Sequence, residues 1–186
     1  MNKLVITVVF LFTTVAGCKS CFAPDPEVEI PAIWGALKEY KVDEDKNNQE
    51  TLMALRQRAE RVHEVAESPE SLSLQALVTV WSNKWHHRGK RWNAGQFKKD
   101  ERLTKKALRG EETPTALLAR AWLTSNACTL MDPDHDLRED MCSEALDHYA
   151  SFRSSETDVP NWLQFEGLWT EAQFLNRYRD NFADEI

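Results

Sequence analysis

The residues most suited to chemistry are the cations of one basic segment, residues 83–110. The segment has ten lysines and arginines but two acidic residues, Asp100 and Glu101, whereas the whole chain has a net charge of −7. Such a local excess of positive charge is typical of a surface that binds an anionic partner. Arginine stacks on aromatic rings, and aromatic residues lie between these cations. The expected contact residues are Trp85, His87, Arg88, Lys90, Arg91, Trp92, Lys98 and Lys99.

The same segment has a second interpretation, in which it is a solvated helix face. In that case its charge only balances the acidic helices of this molecule or of a neighbouring one. The residue types do not decide between a binding surface and a solvated face.

Metal ligation is not predicted. Asp132, Asp134 and Asp136 match the first positions of a calcium loop, but Leu137 replaces its glycine and Ser143 its closing glutamate. The histidines do not form the paired spacing of a metal-binding helix. Asp136 is instead expected to cap a following helix.

Catalysis is also not predicted, because no nucleophile is accompanied by a base. Glu166 and Glu171 are the carboxylates with the most aromatic neighbours in sequence. A glutamate in such surroundings can act as the acid of a glycan-cleaving enzyme, which is the alternative interpretation.

The start of the chain indicates export. A lysine at position 3 precedes an apolar run from Leu4 to Val15, which is shorter than the ~20 residues that span a bilayer. This is the layout of a secretory signal peptide. The run ends in Val15-Ala16-Gly17-Cys18, which resembles the lipobox of bacterial lipoproteins.

The resemblance implies removal of residues 1–17 and attachment of diacylglycerol and a fatty acid, such as palmitate, to Cys18. No other cofactor is expected. Lys19 stands where an inner-membrane retention signal would have aspartate. The expected location is therefore the outer membrane, facing the periplasm. Residues 18–30 would form a lipidated tether, and residues 31–186 a single helical domain.

The fold class is predicted to be all-α. Apolar residues recur at three- and four-residue spacing in five stretches, the last of which includes Phe165, Leu168, Ala172 and Leu175. Ser68 and Thr113 each precede a proline, as helix N-caps do. No stretch alternates as a β-strand would.

A repeat of 41 residues relates the helical stretch at 74–85 to that at 115–126, matching Trp81 with Trp122. Paired helices at this period resemble tetratricopeptide-type repeats over residues 70–180, which implies helical hairpins stacked as a short α-solenoid. An irregular helical bundle is the alternative.

Four cysteines are present, and the lipid would use Cys18. Cys128 and Cys142 flank a short turn between two helical stretches, so they are expected to form a disulfide. Cys21 would be left free or would pair between molecules.

These features suggest two functions for a tethered envelope protein. One is a non-enzymatic adaptor or assembly factor that binds another envelope protein. The other is an inhibitor, immunity or exclusion factor that neutralises a toxin, a hydrolase or a phage component. Anionic lipid headgroups and cell-wall polymers are further possible ligands of the basic segment. An exported protein is not expected to bind nucleic acid.

Overall fold

The computed structural model describes residues 23–42, 49–86, 93–132, 134–155 and 159–182. These residues form seven α-helices and no β-strand, which confirms the predicted all-α class. The helices are α1 (Pro26–Val42), α2 (Gln49–Ala66), α3 (Pro69–His86), α4 (Ala94–Gly110), α5 (Pro114–Leu130), α6 (Arg138–Arg153) and α7 (Asn161–Phe182).

Helix α1 begins five residues before the start that the sequence suggested. Pro26 occupies its first position, where the missing N–H of proline costs nothing. Ile30 and Ile33 are both buried in the core. Part of the segment assigned to the tether therefore belongs to the helical body.

Two of the three predicted helix caps are confirmed. Ser68 Oγ accepts a hydrogen bond from the Ser71 amide at 3.1 Å, and Thr113 Oγ1 accepts one from the Ala116 amide at 3.2 Å. The prediction for Asp136 is wrong. Helix α6 starts one residue later, with Leu137 as an N-cap that has no side-chain bond. His135 Nδ1 instead accepts a hydrogen bond from the Leu137 amide at 3.2 Å.

Helices α3 and α5 form the centre of the molecule. Helix α3 packs against α2, α4 and α5, and α5 packs against α3, α4, α6 and α7. The indole rings of Trp81 and Trp122 stack between α3 and α5, with centroids 4.3 Å apart. The two tryptophans that the repeat matched in sequence are therefore direct partners in the core.

The first and last helices meet at the same cluster of rings. Trp162 of α7 lies 6.5 Å from the ring of Trp81 and 5.8 Å from that of Trp34 in α1. An open solenoid keeps its terminal repeats apart, because each repeat contacts its neighbours. Here the rings of Trp34 and Trp162 bring α1 and α7 together, and the seven described helices are consistent with either a helical bundle or a solenoid-like arrangement.

A disulfide joins Cys128 of α5 to Cys142 of α6, as predicted. The sequence separation is 14 residues, and a loop of about this length contributes ~3 kcal/mol in the chain-entropy model. Arg138 Nε also donates a hydrogen bond to the Cys128 carbonyl at 3.1 Å. These bonds fix the start of α6 against the end of α5.

Helix α7 faces the core with a side that its periodicity did not indicate. The predicted apolar stripe points outward, and Phe165, Leu168 and Leu175 are exposed. The buried side instead contains Leu163, Glu166, Gly167, Thr170, Glu171 and Phe174. Glycine permits this orientation, since a Cβ atom at position 167 would overlap the Phe152 ring of α6.

We expect Gly167→Ala to lower the free energy of unfolding by ~1–3 kcal/mol, because the added methyl group overpacks the contact with Phe152. Thermal or urea unfolding would measure the change. Gly35→Ala in α1 is a matched control, since no atom lies within 4 Å of its added Cβ. The control should be neutral or stabilising by up to ~1 kcal/mol. Equal effects of the two substitutions would contradict the close approach of α6 and α7.

Candidate partner-binding surface

The predicted contact residues fall into three groups. Lys98 and Lys99 lie on α4 and are exposed. Trp85 belongs to α3, but its side chain is not among those that the structure describes. His87, Arg88, Lys90, Arg91 and Trp92 lie outside the described residues altogether. The described part of the predicted surface therefore lies on α4.

Helix α4 separates its apolar and charged residues onto opposite sides. Asn93 caps the helix by accepting a hydrogen bond from the Gln96 amide at 3.0 Å. Phe97, Thr104 and Ala107 are buried against the bundle. The opposite side, here called the cationic face, consists of Lys98, Lys99, Arg102, Lys105, Lys106 and Arg109, all of which are exposed.

Sequence reasoning named two of these six cations and left the other four in a general basic segment. Lys98, Arg102, Lys105 and Arg109 follow i, i+4, i+7, i+11 spacing, which places them in one row along a helix. Lys98 and Arg109 are eleven residues apart, or about 16 Å along the axis. The same periodicity test that located the core stripes would have found this row.

The two acidic residues of the segment do little to neutralise the face. Asp100 is buried, where it accepts hydrogen bonds from Asn83 Nδ2 at 2.6 Å and Gln96 Nε2 at 2.9 Å. Glu101 lies 2.8 Å from Lys105 Nζ. The charge on the remaining exposed cations is therefore not balanced by an acidic residue of α4.

This arrangement carries an energetic cost within the helix. Lys98–Arg102 and Arg102–Lys106 are like-charge pairs at i,i+4 spacing, and each such pair destabilises a helix by ~0.2–0.5 kcal/mol. The positive field also reaches α2. Burial lowers the pKa of His63, and the charge of Lys106 lowers it further. An anionic partner would relieve this repulsion.

A buried arginine holds α4 in this orientation. The Arg120 side chain of α5 has no exposed surface. Its Nε donates a hydrogen bond to Glu144 Oε1 of α6 at 2.7 Å, and its Nη2 lies 3.5 Å from Glu101 Oε1 of α4. The network therefore connects α4, α5 and α6. A buried guanidinium is costly unless it is paired, and Glu101 and Glu144 are its anionic partners.

Glu144 is strongly biased towards its charged form in this network. Partial burial raises the pKa of Glu144, but hydrogen bonds from His148 and Arg120 and the charge of Arg120 outweigh that effect. The pKa is lowered to about 2.

Helix α6 and the turn before it form an acidic surface. Its exposed carboxylates are Asp132, Asp134, Asp136, Glu139, Asp140 and Asp147. Within the described residues, no group of three or more acidic, histidine or cysteine side chains is placed to hold a metal ion. The positive and negative surfaces of the molecule thus lie on different helices.

The two carboxylates considered for catalysis are buried on the inner side of α7. Glu171 forms an ion pair with Arg153 of α6. Burial raises the pKa of the Tyr149 hydroxyl to about 12, and the charges of Glu171 and Glu166 add to the effect. The ion pair between Arg153 and Glu171 links α6 to α7. Neither Glu166 nor Glu171 lines either of the two cavities beside α7.

One of these cavities has a volume of about 270 Å³ and lies between the end of α6 and the start of α7. It is lined by Phe152, Arg153, Ser155, Val159, Gln164 and Leu168. Ligand pockets usually occupy ~300–1,000 Å³, so this cavity is slightly smaller than a usual ligand pocket. It does not adjoin any residue of the cationic face.

The fold and this surface together define an all-α protein with a cationic helix face. Comparisons with protein-family models, curated proteins and solved structures find no match to the chain. In the part of the chain that the structure describes, no helix has both the length and the apolar character needed to cross a membrane.

We expect stability to fall as pH decreases from about 4.5 to about 2, because the pKa of Glu144 is lower in the folded state. The Glu144 contribution is fully present above the unfolded pKa and is lost as pH falls through the folded pKa. Glu144→Gln should cost ~2 kcal/mol at neutral pH, allowing for partial exposure, and the difference from wild type should shrink towards pH 2. Urea unfolding at several pH values would measure both.

Asp147→Asn is the control, since Asp147 is an exposed acid on the same helix. Its stability curve should run parallel to that of wild type. If the Glu144→Gln curve were also parallel, Glu144 would not be the titrating group.

Proposed function

We propose that this chain is a lipid-anchored, non-enzymatic binding protein of the cell envelope, which acts as an adaptor or assembly factor. In this proposal, the cationic face of α4 contacts an acidic surface of another envelope protein. The observation that carries the proposal is the cationic face, in which Lys105 alone is paired with an acidic residue of the same helix, Glu101, and the charges of the other five cations are left unbalanced by α4.

The shape of this surface favours a macromolecular partner. Small molecules bind in concave pockets, whereas the cationic face lies along the outside of a helix. Each exposed charge pair contributes little to affinity, but a complementary charged surface accelerates association and selects among partners. Binding should therefore weaken as the salt concentration rises.

The proposed anchor would keep this surface near the membrane. Seven residues separate Cys18 from Pro26 at the start of α1, and a fully extended chain of that length spans at most ~25 Å. Two or three acyl chains on Cys18 would provide a durable attachment. The proposed membrane is the outer membrane, with the protein on its periplasmic side.

The interaction can be tested by reversing Lys98, Arg102 and Lys106 to Glu in the full-length chain. Crosslinking in cells, followed by purification, would compare the proteins recovered with the variant and with wild type. We expect an acidic envelope protein to be recovered with wild type at low salt. Its recovery should fall about tenfold or more with the variant.

A matched control reverses three exposed cations on other helices, Lys38, Arg61 and Arg177. It produces the same change in net charge but leaves the cationic face intact, so it should retain the partner. Equal recovery with both triple variants would contradict a role for the cationic face. Recovery of lipid or cell-wall polymer alone would contradict a protein partner. A captured toxin or hydrolase would assign the chain to the inhibitor class instead.

The proposed anchor makes a separate prediction. Cys18→Ser should move the protein from the membrane fraction to the soluble fraction, because the thiol that would carry diacylglycerol is absent. Cys21→Ser, three residues away, is the control and should leave the protein in the membrane fraction. Fractionation and mass spectrometry of the mature N-terminus would measure both. Unchanged fractionation of Cys18→Ser would contradict lipid anchoring.

A further inference from the structure

Helix α7 presents a group of large apolar side chains to solvent. The exposed fractions are 66% for Phe165, 50% for Leu168, 52% for Trp169 and 43% for Leu175. Ala172, between them, is also exposed. Contiguous exposed apolar surface commonly marks an interaction site.

The spacing of this group is that of a helix–helix seam. Phe165, Leu168, Ala172 and Leu175 follow one another at intervals of three, four and three residues. Alternating intervals of three and four place residues at the a and d positions of a heptad, which face a partner helix in a coiled coil. A stripe of this width accommodates one further helix.

The seam is complementary to itself when a second copy runs antiparallel. A two-fold axis near position 170 brings Phe165 opposite Leu175 of the second copy, and Leu168 opposite Ala172. The same pairs then recur on the other side of the axis, as an isologous contact requires. The larger side chain of each pair meets a smaller one, which allows the two stripes to interlock.

The charges around the seam are compatible with such a contact. In a two-fold interface a residue beside the axis lies close to its own copy, so a charged residue there would repel its equivalent. The exposed neighbours Gln164 and Gln173 are uncharged. Glu166 is buried on the far side of the helix, and Glu171, which adjoins Leu168 and Leu175 on the helix surface, is buried and paired with Arg153 of α6.

A membrane surface is a less suitable occupant of this face. Helices that bind anionic membranes have lysine and arginine beside the apolar side, and each cation contributes ~1 kcal/mol. Among the described side chains of α7, Arg177 is the exposed cation, and Arg153 of α6, which lines a cavity with Leu168, is already paired with Glu171. Apolar area with neutral neighbours favours a second protein helix of the same kind.

The size of the patch predicts a reversible contact. Phe165, Leu168 and Leu175, together with Trp169 beside the seam, provide roughly 400 Å² of exposed apolar surface per copy, by the usual areas of such residues. Two copies would bury roughly 800 Å² through these residues, compared with ~1,600 Å² in a standard stable interface. The rings of Phe165 and Trp169 already lie parallel, with centroids 6.5 Å apart. This pair offers a preformed surface to the partner.

We propose that the outward face of α7 is a homodimer interface, in which two copies pack antiparallel along Phe165, Leu168, Ala172 and Leu175. The interface uses a different helix from the cationic face and does not depend on the proposed adaptor function.

The test is the oligomeric state of the full-length chain in a non-ionic detergent, measured by sedimentation equilibrium. Wild type should show a monomer–dimer equilibrium in the micromolar range, consistent with the small area. Leu168→Glu should weaken dimerisation about tenfold or more, because it places two like charges near the axis. Val65→Glu, at a 47% exposed valine of α2, is the matched control and should leave the dissociation constant unchanged. Circular dichroism verifies that both variants remain folded.

Orientation is tested by disulfide crosslinking in a Cys21→Ser background. Chains carrying Leu168→Cys are mixed with chains carrying Ala172→Cys and then oxidised, and chains with neither substitution give the background. An antiparallel pair should yield mainly the mixed crosslink. A monomeric wild type, an unaffected Leu168→Glu variant, or a mixed crosslink no stronger than the crosslinks between identical chains would overturn the proposal.

Discussion

The stacked rings of Trp81 and Trp122 are the contact on which the rest of this structure depends. They fix the separation of the two central helices, α3 and α5, and both rings are almost completely buried. Large aromatic side chains dominate the energetics of a core because each removes so much apolar area from water. Trp162 packs against the same cluster and connects it to Trp34. The central contact between α3 and α5 is thereby joined to aromatic rings of both the first and the last helix.

The interior polar groups explain why the charged surfaces are arranged as they are. Arg120 is buried, so its anionic partners come from the helices around α5. They are Glu101 of α4 and Glu144 of α6. Asp100 is likewise turned inward to Asn83 and Gln96. Satisfying these groups draws the acidic residues of α4 towards the core and leaves its cations outside. The charge asymmetry of the surface is thus coupled to the requirements of the interior.

Helix α7 shows where sequence periodicity is insufficient. Its residues form two candidate faces: an apolar stripe that includes Phe165 and Leu168, and a mixed side that includes Glu166, Gly167 and Glu171. Periodicity selects the more apolar face for the core. The mixed side is buried instead, because Gly167 allows close contact with Phe152 and Arg153 pairs with Glu171. Those contacts depend on α6, which lies elsewhere in the chain, so a local pattern cannot reveal them.

The sequence by itself determined the helical class, the caps at Ser68 and Thr113, the pairing of Cys128 with Cys142, and the concentration of positive charge. All of these depend on residues close together in the chain or on regular spacing within one helix. The tertiary structure decided that Trp34 and Trp162 meet at the central ring cluster, that Asp100 and Glu101 of α4 have partners on other helices, and which side of α7 meets solvent. These features depend on contacts between helices, and they are determined by packing and by the burial of charge rather than by the propensity of any one segment.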